Sequence, residues 1–457
     1  MIFIETKRDL TALCSNNFRH LLKKITNLNF PFFIAARVAA SGQRSFTRLI
    51  VRTATIAIAL SIAVMLIATA LIRGFKSEIS EKMFGFWGHI HITSTQTTTT
   101  YEPIPILSNQ PFLQQLKTLE RFPDAPTNEN ANLIEKKQQK AVGGIRHVQV
   151  YATKAGIIKT KDNFEGIVLK GVGADYDWSF VEQHLIEGRK LNLCTNDTCR
   201  DILISQSTAD RLKLHAGAKF VVHFVQNNTQ QQRLFQICGI YKTGLEEYDK
   251  KFALVDLRHI QELLGWTSNQ VAGFEVFVDD LRDLDLARNY IYKELITNEL
   301  IAQTVREEQP AIFDWLDLQD VNEQVILGLM LVVGIINMVT ALLILILERT
   351  NMIGTLKALG TRNWTIQRIF VFYGAIIICI GLLIGNVVGL GLAFLERTFH
   401  FIRLSEADYY LSYAPIRFDF WTILTLNLGT LAITTLFLLL PTLLVLSITP
   451  VKAIRFK

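Results

Sequence analysis

The chain has 457 residues, 50% of them hydrophobic and 19% charged, with a mean hydropathy of +0.27, too apolar for an ordinary water-soluble enzyme and too charged for a wholly intramembrane protein. Ten prolines, 26 glycines and five cysteines exclude a collagenous, low-complexity or disulfide-scaffold protein, and a net charge of +6 points to no nucleic acid. Residues 75–320 carry 27 Lys+Arg against 33 Asp+Glu, the remainder 20 against 8, so a middle of −6 is flanked by segments summing to +12.

In chain order, Phe18, Leu21, Leu22, Ile25 and Leu28 make one helical stripe opposite Lys23 and Lys24, and FFIAARVAASGQRS follows Pro31. Residues 1–49 therefore read as a cytoplasmic segment with an interfacial amphipathic helix, or a helix packed on a soluble partner. No apolar run precedes Phe30, so no cleavable signal peptide is expected. Ala54–Ile72 is uncharged and long enough to cross a hydrocarbon core of roughly 30 Å, and the apolar runs Val325–Leu347, Ile369–Leu395 and Trp421–Ile448 are three further spans. With stalk and flanks the spans are placed at 50–74, 321–347, 369–395 and 421–448.

Short loops set the orientation. Nine Lys+Arg stand against Glu5 and Asp9 before the first span; the 348–368 connection has four basic residues and one acid; the tail 449–457 holds Lys452, Arg455 and Lys457. All three are expected in the cytoplasm, which leaves residues 75–320 and the 396–420 loop outside. In the third span Gly381, Gly385 and Gly389 recur at four-residue spacing and let another helix approach closely. Pro441 is expected to bend the fourth span, and Asn337 and Asn386 to bond between helices or line a pathway.

The 75–320 insert alternates strands and helices, which makes it an α/β domain. Strands are predicted at GHIHITS from Gly88, HVQVYATKAGIIKT from His147, FEGIVLKGV from Phe164 and FEVFVDD from Phe274. Helices are predicted around 111–121, 207–214, 257–264 and 281–296. Residues 178–268, with strands at Ile202, Phe220 and Leu234, are expected to form an inserted second lobe. No proline or glycine lies between Pro310 and Gly328, so one helix is predicted to enter the second span, adding a stalk of about 16 Å for roughly 11 residues. Cys194 and Cys199 bracket the turn TNDT, and a disulfide closing it is open to them outside the cytoplasm. Cys238 reads as a buried small hydrophobe.

There is no GxxxxGK[ST], HExxH, GxSxG or paired CxxC, so neither catalytic residues nor a metal site are expected, and the chain is not read as an enzyme. His89 and His91 share one face of a predicted strand and read as a surface face for want of a third ligand. Glu246, Glu247 and Asp249, beside Lys250 and Lys251, read as a solvated loop.

After the second span comes ERTNMIGTLKALGTRNWTIQRIF, in which Ile353, Leu356, Lys357 and Gly360 describe a short amphipathic helix closed by glycine, then a second helix entering the third span. The pattern Glu348, Arg349, Ile353, Gly354, Leu356, Lys357, Ala358, Leu359, Gly360 resembles the coupling segment of FtsX-like ABC transporter permeases. The ending PVKAIRFK is similar to the family's own. FFIAARVAASGQRS and RGFKSEISEKMFGFWGHIHI, flanking the first span, resemble more narrowly the lipoprotein-releasing permeases of the Gram-negative inner membrane.

The resemblance implies an α-helical membrane protein of the MacB-like type VII ABC permease fold: four transmembrane helices, a large periplasmic α/β domain between the first two, and a coupling helix around Asn351–Leu359. It implies a second permease subunit, a separate ABC ATPase carrying ATP and Mg while this chain carries no cofactor, a lipoprotein substrate drawn from membrane lipid, and a periplasmic lipoprotein chaperone. Leu71, Phe75, Val325 and Leu329 are the candidates for an acyl-chain cavity, or plain lipid-facing and packing surface. The family's chaperone-binding subunit has an extended hairpin hook; here VVHFV and RLFQI are joined only by Gln226–Gln232, which casts this chain as the other subunit or one using another contact. Rival readings are an FtsX-like signalling permease acting on a cell-wall hydrolase, a MacB-like exporter of another substrate, or a membrane-anchored binding domain.

Overall fold

The computed structural model describes residues 30–40, 45–97, 102–123, 142–159, 164–193, 200–226 and 229–448; the Phe18–Leu28 stripe, Cys14, Cys194 and Cys199 lie outside them. The chain divides into a membrane unit, Met1–Phe75, Leu318–Phe401 and Ala414–Lys457, and an α/β unit, Lys76–Asp317 and Ile402–Tyr413.

Among the described residues, four helices are long and apolar enough to cross a membrane. The first, Ser45–Trp87, has 43 residues, the second, Pro310–Glu348, 39, and the third, Asn363–Phe399, 37. At about 1.5 Å per residue each is longer than the roughly 30 Å of hydrocarbon demands. Pro310 opens the second helix, where a missing N–H costs nothing. The fourth helix, Phe420–Phe437, stops four residues before Pro441 and continues only as the short turns Leu439–Thr442 and Leu444–Ser447. Pro441 has no N–H for the Phe437 carbonyl, and its ring crowds that oxygen.

Lipid offers no hydrophobic drive for helices to associate, so packing must come from close approach and polar bonds. The three glycines of the third helix provide the approach. A Cβ on Gly381 would stand 2.8 Å from the Ile58 side chain, one on Gly385 would collide with Ile62 and the Ala59 backbone, and one on Gly389 would stand 2.9 Å from Ala63 Cα. Asn386 and Asn427 supply the polar bond, each amide donating to the other's oxygen at 2.6 and 3.0 Å and so joining the third and fourth helices. Asn337, in contrast, is exposed on the second helix of the single chain. The helix Phe30–Ala40 lies against this bundle: Ala35 is fully buried and Phe32 meets Phe372 edge to face.

The α/β unit is built on one ten-stranded sheet. Its strands come from β1 (Ile90–Ser94), β2 (Ile106–Leu107), β3 (Ile145–Lys159), β4 (Phe164–Val172), β5 (Leu185–Gly188), β6 (Asp201–Ser205), β7 (Lys219–Gln226), β8 (Thr229–Tyr241), β9 (Phe252–Asp256), β10 (Gln270–Val271), β11 (Gly273–Val278) and β12 (Leu300–Thr304), with β2 and β10 forming a separate pair. The order is β12-β1-β11-β3-β4-β9-β6-β8-β5, and β7 pairs with both β3 and β8. The lobe expected over 178–268 is not a separate sheet. Its β9 runs parallel to β4 and its β7 antiparallel to β3, so backbone bonds cross both proposed cuts. Strand periodicity reports which residues are half-buried and is silent about which strands pair. The β7–β8 ladder continues to Gln226↔Thr229, beyond the ends expected for VVHFV and RLFQI.

Two surface expectations are overturned. His89 and His91 are 7% and 1% exposed: His89, just before β1, packs against Phe84 and Phe277, and His91 on β1 packs against Trp87 and Tyr151. Asp249 is 4% exposed: Glu246–Lys251 is a helix, and the Asp249 carboxylate turns inward to accept from the Thr243 and Gly244 amides at 3.2 and 3.0 Å. Burial raises its pKa against those bonds. Cys238 is buried, its thiol 3.3 Å from the Ile202 carbonyl, and burial pushes its pKa up to about 12.

Replacing Gly385 by leucine drives a side chain into Ile62 and Ala59, and overpacking of this kind costs about 1–3 kcal/mol. Thermal melting of the detergent-solubilised chain should fall for Gly385→Leu and stay put for Gly391→Leu, whose added Cβ meets nothing within 4 Å. Equal melting of both variants would refute the glycine seam.

Candidate functional site

The segment between the second and third spans forms a small foot on the membrane unit. The second helix ends at Glu348, and the Arg349 amide reaches back to the Leu345 and Ile346 carbonyls at 3.1 and 3.2 Å before a new helix runs from Thr350 to Ala358. That helix closes in a Schellman arrangement: Gly360 N–H donates to the Lys357 carbonyl and Thr361 N–H to the Leu356 carbonyl, both at 3.0 Å. Gly360 has φ of 86°, a left-handed conformation that glycine adopts without a Cβ penalty. The third helix starts three residues later, at Asn363.

The foot is tied to the bundle at three points. Ile353 is fully buried and Gly354 buried beside it, while Leu356 and Met352 are partly buried against the hydrophobic cluster of the spans. Thr47, at the start of the first helix, donates its hydroxyl to the Glu348 carboxylate. Lys357 Nζ donates to the Val445 and Ile448 carbonyls at 2.6 and 2.7 Å, capping the last turn of the fourth span with a positive charge. Partial burial holds the Lys357 pKa below the ordinary lysine value.

What faces outward is Asn351, Thr355, Ala358, Leu359 and Gly360, with Leu359 78% exposed. Arg362, Trp364 and Arg368 extend this surface; Trp364 is 56% exposed, and the Arg368 guanidinium lies 5.2 Å from its ring centroid. The residues singled out from the sequence thus divide. Asn351, Ala358, Leu359 and Gly360 offer a free surface, whereas Glu348, Ile353, Gly354, Leu356 and Lys357 hold the foot in place. Trp364, Arg362 and Arg368 are not among the residues singled out from the sequence, where a lone tryptophan in a polar connection is the available signal.

Of the four cavity candidates, Leu71 and Phe75 are half-buried on the first helix, while Val325 and Leu329 are 53% and 59% exposed on the second. The latter two continue an apolar face of that helix with Leu318, Val321, Val332 and Ile336, all more than half exposed in the single chain. Among the described residues no group of three or more His, Cys, Asp or Glu lies placed to hold a metal ion.

Residues 324–450 match the family described as FtsX-like permease C-terminal. The chain is similar to the lipoprotein-releasing system transmembrane protein LolE of Haemophilus influenzae, 22% identical over 387 residues, covering 81% of this chain and 84% of that protein. It is similar to the LolC proteins of Xylella fastidiosa (strain 9a5c) and Neisseria meningitidis serogroup B, each 21% identical, covering 92% of this chain and 96% and 97% of theirs. Among solved structures it resembles the extracellular domain of the noncanonic ABC-type transporter YknZ from Gram-positive bacteria, at 15% identity and a TM-score of 0.30, covering 47% of this chain and 99% of that one. With the four spans and the α/β unit, the family match identifies a multi-pass membrane protein with the FtsX-like, type VII ABC permease fold.

Lys357→Met removes the charged donor from two carbonyls, and hydrogen bonds to charged groups contribute about 1.5–3 kcal/mol each when desolvated. Amides of the Leu444–Ser447 turn should exchange with deuterium at least about tenfold faster in that variant, by mass spectrometry of the full chain. Unchanged exchange would show that the lysine does not hold the fourth span.

Proposed function

We propose that this chain, with its FtsX-like permease domain, is the transmembrane subunit of an ATP-driven transporter that releases lipoproteins from the inner membrane of a Gram-negative bacterium. The observation that carries this reading is the foot: a short helix, anchored to three spans and presenting Leu359 and Trp364 outward between two of them. Such a surface suits docking of a second polypeptide. Because the chain has no phosphate-binding loop, that polypeptide is the ABC ATPase that binds ATP and Mg.

The cargo sets an energy scale. Each buried CH₂ of an acyl chain is worth roughly 0.8 kcal/mol, so withdrawing several chains from lipid needs both an apolar receiving surface and an external source of work. The exposed face of the second helix from Leu318 to Ile336, with Leu71 and Phe75 on the first, is the receiving surface in this reading, completed by a second permease subunit. In this reading the foot and both termini lie in the cytoplasm and the α/β unit in the periplasm, which the basic flanks favour. Closure of the ATPase pushes the foot, and the second helix carries the displacement outward. The β7–β8 ladder running to Gln226↔Thr229 favours delivery to the periplasmic carrier through the other subunit.

Leu359→Asp with Trp364→Asp should abolish co-purification of the ATPase while leaving chain abundance unchanged, since both side chains are more than half exposed. Retained ATPase would remove the foot from the docking surface. Depletion of the chain should leave outer-membrane lipoproteins stranded in the inner membrane, measured by membrane fractionation. Normal sorting with disturbed cell separation would replace transport by the hydrolase-signalling reading, and normal sorting and separation by export of another substrate.

A further inference from the structure

A line of buried charge runs through the α/β unit beside the end of the first helix. Lys170, on β4, is fully buried, with Nζ 2.7 Å from Glu275 Oε1 on β11 and donating to the Phe86 carbonyl at 2.6 Å. It also lies over the rings of Phe86 and Trp87, at 4.9 and 4.6 Å. The other Glu275 oxygen accepts from Gln149 Nε2 at 2.6 Å. Next in line is His91 on β1, its Nε2 3.8 Å from Glu275 Oε1 and 2.7 Å from the Trp87 carbonyl, its Nδ1 2.7 Å from Glu308 Oε2.

The ring's two hydrogen bonds decide its state. Where the Glu308 carboxylate carries its charge, it and the Trp87 carbonyl only accept, so both ring nitrogens donate, as they do in the imidazolium. Lys170 and His91 then balance Glu275 and Glu308. Burial works against the charged ring, but the Glu308 carboxylate and its hydrogen bond, then Glu275 and the Trp87 carbonyl, outweigh it and raise the pKa above the ordinary histidine value. His89, two residues away, is the contrast: its Nδ1 accepts from the Val278 amide at 2.9 Å, and burial with Arg146 nearby lowers its pKa to about 3.

The anchored groups sit at consequential points of the chain. Phe86 and Trp87 are the last residues of the first long helix, and Glu308 closes the turn Val305–Glu308 that leads into the second helix at Pro310. A capping box at Thr304 and Glu307 fixes that turn to the end of β12. We propose that the chain of charges Lys170–Glu275–His91–Glu308 is a proton-set latch that holds the end of the first long helix and the entry to the second against one sheet, and that loss of the His91 proton opens it. The latch concerns this chain alone and does not depend on what the transporter carries.

The groups facing His91 come from each packed element: Glu308 from the turn, Glu275 from β11, Lys170 behind it from β4, and Tyr151 from β3, whose ring is 5.3 Å away. Tyr151 stays neutral, because burial first and the two glutamates second push its pKa far up. A proton can reach the line from solvent, since an open cavity lined by Trp87, Tyr248, Lys251, Glu308 and Gln309 adjoins it and the Glu308 side chain is 22% exposed. Among the described residues the buried Trp87 Nε1 has no hydrogen-bond partner.

The sign follows from the raised pKa. The latch is complete below the unfolded histidine value and is lost as pH climbs through the folded one. Hydrogen–deuterium exchange of the full chain in lipid nanodiscs, from about pH 6 to about pH 9 and corrected for intrinsic rates, reads it directly. Protection of residues 87–92 and 304–308 should drop at least about tenfold across a single step as pH rises. His91→Gln should abolish the step, and Glu308→Gln, which keeps a hydrogen-bonding partner but removes the charge, should lower its midpoint by about one pH unit or more. A wild type without a step, or a step that survives in His91→Gln, overturns the proposal. Should His91→Gln fail to fold, the Glu308→Gln midpoint decides: a lowered midpoint supports the latch and an unmoved one overturns it.

Discussion

A backbone inside hydrocarbon has no water to bond, so every amide and carbonyl must find its partner within the helix, and any interruption has to be placed where other groups can repair it. The membrane unit follows this constraint closely. The second span keeps its ladder from Pro310 to Glu348, the third from Asn363 to Phe399, and the interruptions among the described residues fall at Arg349, Gly360, Leu438 and Leu443. At Gly360 the freed carbonyls are taken by the Schellman amides, and near the end of the fourth span by Lys357. A helix with an intact ladder can tilt, rotate or translate but cannot be shortened cheaply. Movement that enters such a helix at one end must leave at the other, and flexing is easiest at the interruptions.

The same constraint explains the contents of the helix contacts. Between the first and third helices the contact is made of absent side chains, with Gly381, Gly385 and Gly389 set against Ile58, Ala59, Ile62 and Ala63, because dispersion is the main attraction left when lipid is as apolar as leucine. Between the third and fourth it is a reciprocal amide pair, which satisfies each asparagine at the other's expense in hydration. The second helix has neither device along its face from Leu318 to Ile336, and that face also carries the exposed Asn337. The first, third and fourth helices read as a fixed frame, and the second as the one free to meet something else.

The sequence revealed features set by composition and local spacing. The four spans, the glycine period, the strand β11 around Phe274 and the helix over 257–264 are all local patterns, and each is an element in the structure. What it concealed depends on partners distant in the chain. Nothing near β4 and β9 announces that they run side by side, so an apparent second lobe is part of one sheet. Nothing near His91 announces Glu308, 217 residues away, so a buried ion looked like a surface residue. On the foot, local spacing describes the short helix that runs from Thr350 to Ala358, whereas the partner of Lys357 on the fourth span lies 88 residues away and leaves no local trace.

Buried charge is a poor choice for stability alone, since well-packed apolar side chains of similar volume often do as well or better. Its advantage is direction. An apolar contact between Trp87 and the sheet could slide by a fraction of a residue with little change in energy, whereas Lys170, Glu275, His91 and Glu308 are aligned atom to atom and lose most of their attraction when any member shifts. Two positive and two negative groups also make the line neutral, so removing one proton strands a negative charge in a low-dielectric interior. The proposed mechanism of helix movement needs helix ends held rigidly in one state and released in another, and a chain of paired charges meets both demands with the same four side chains.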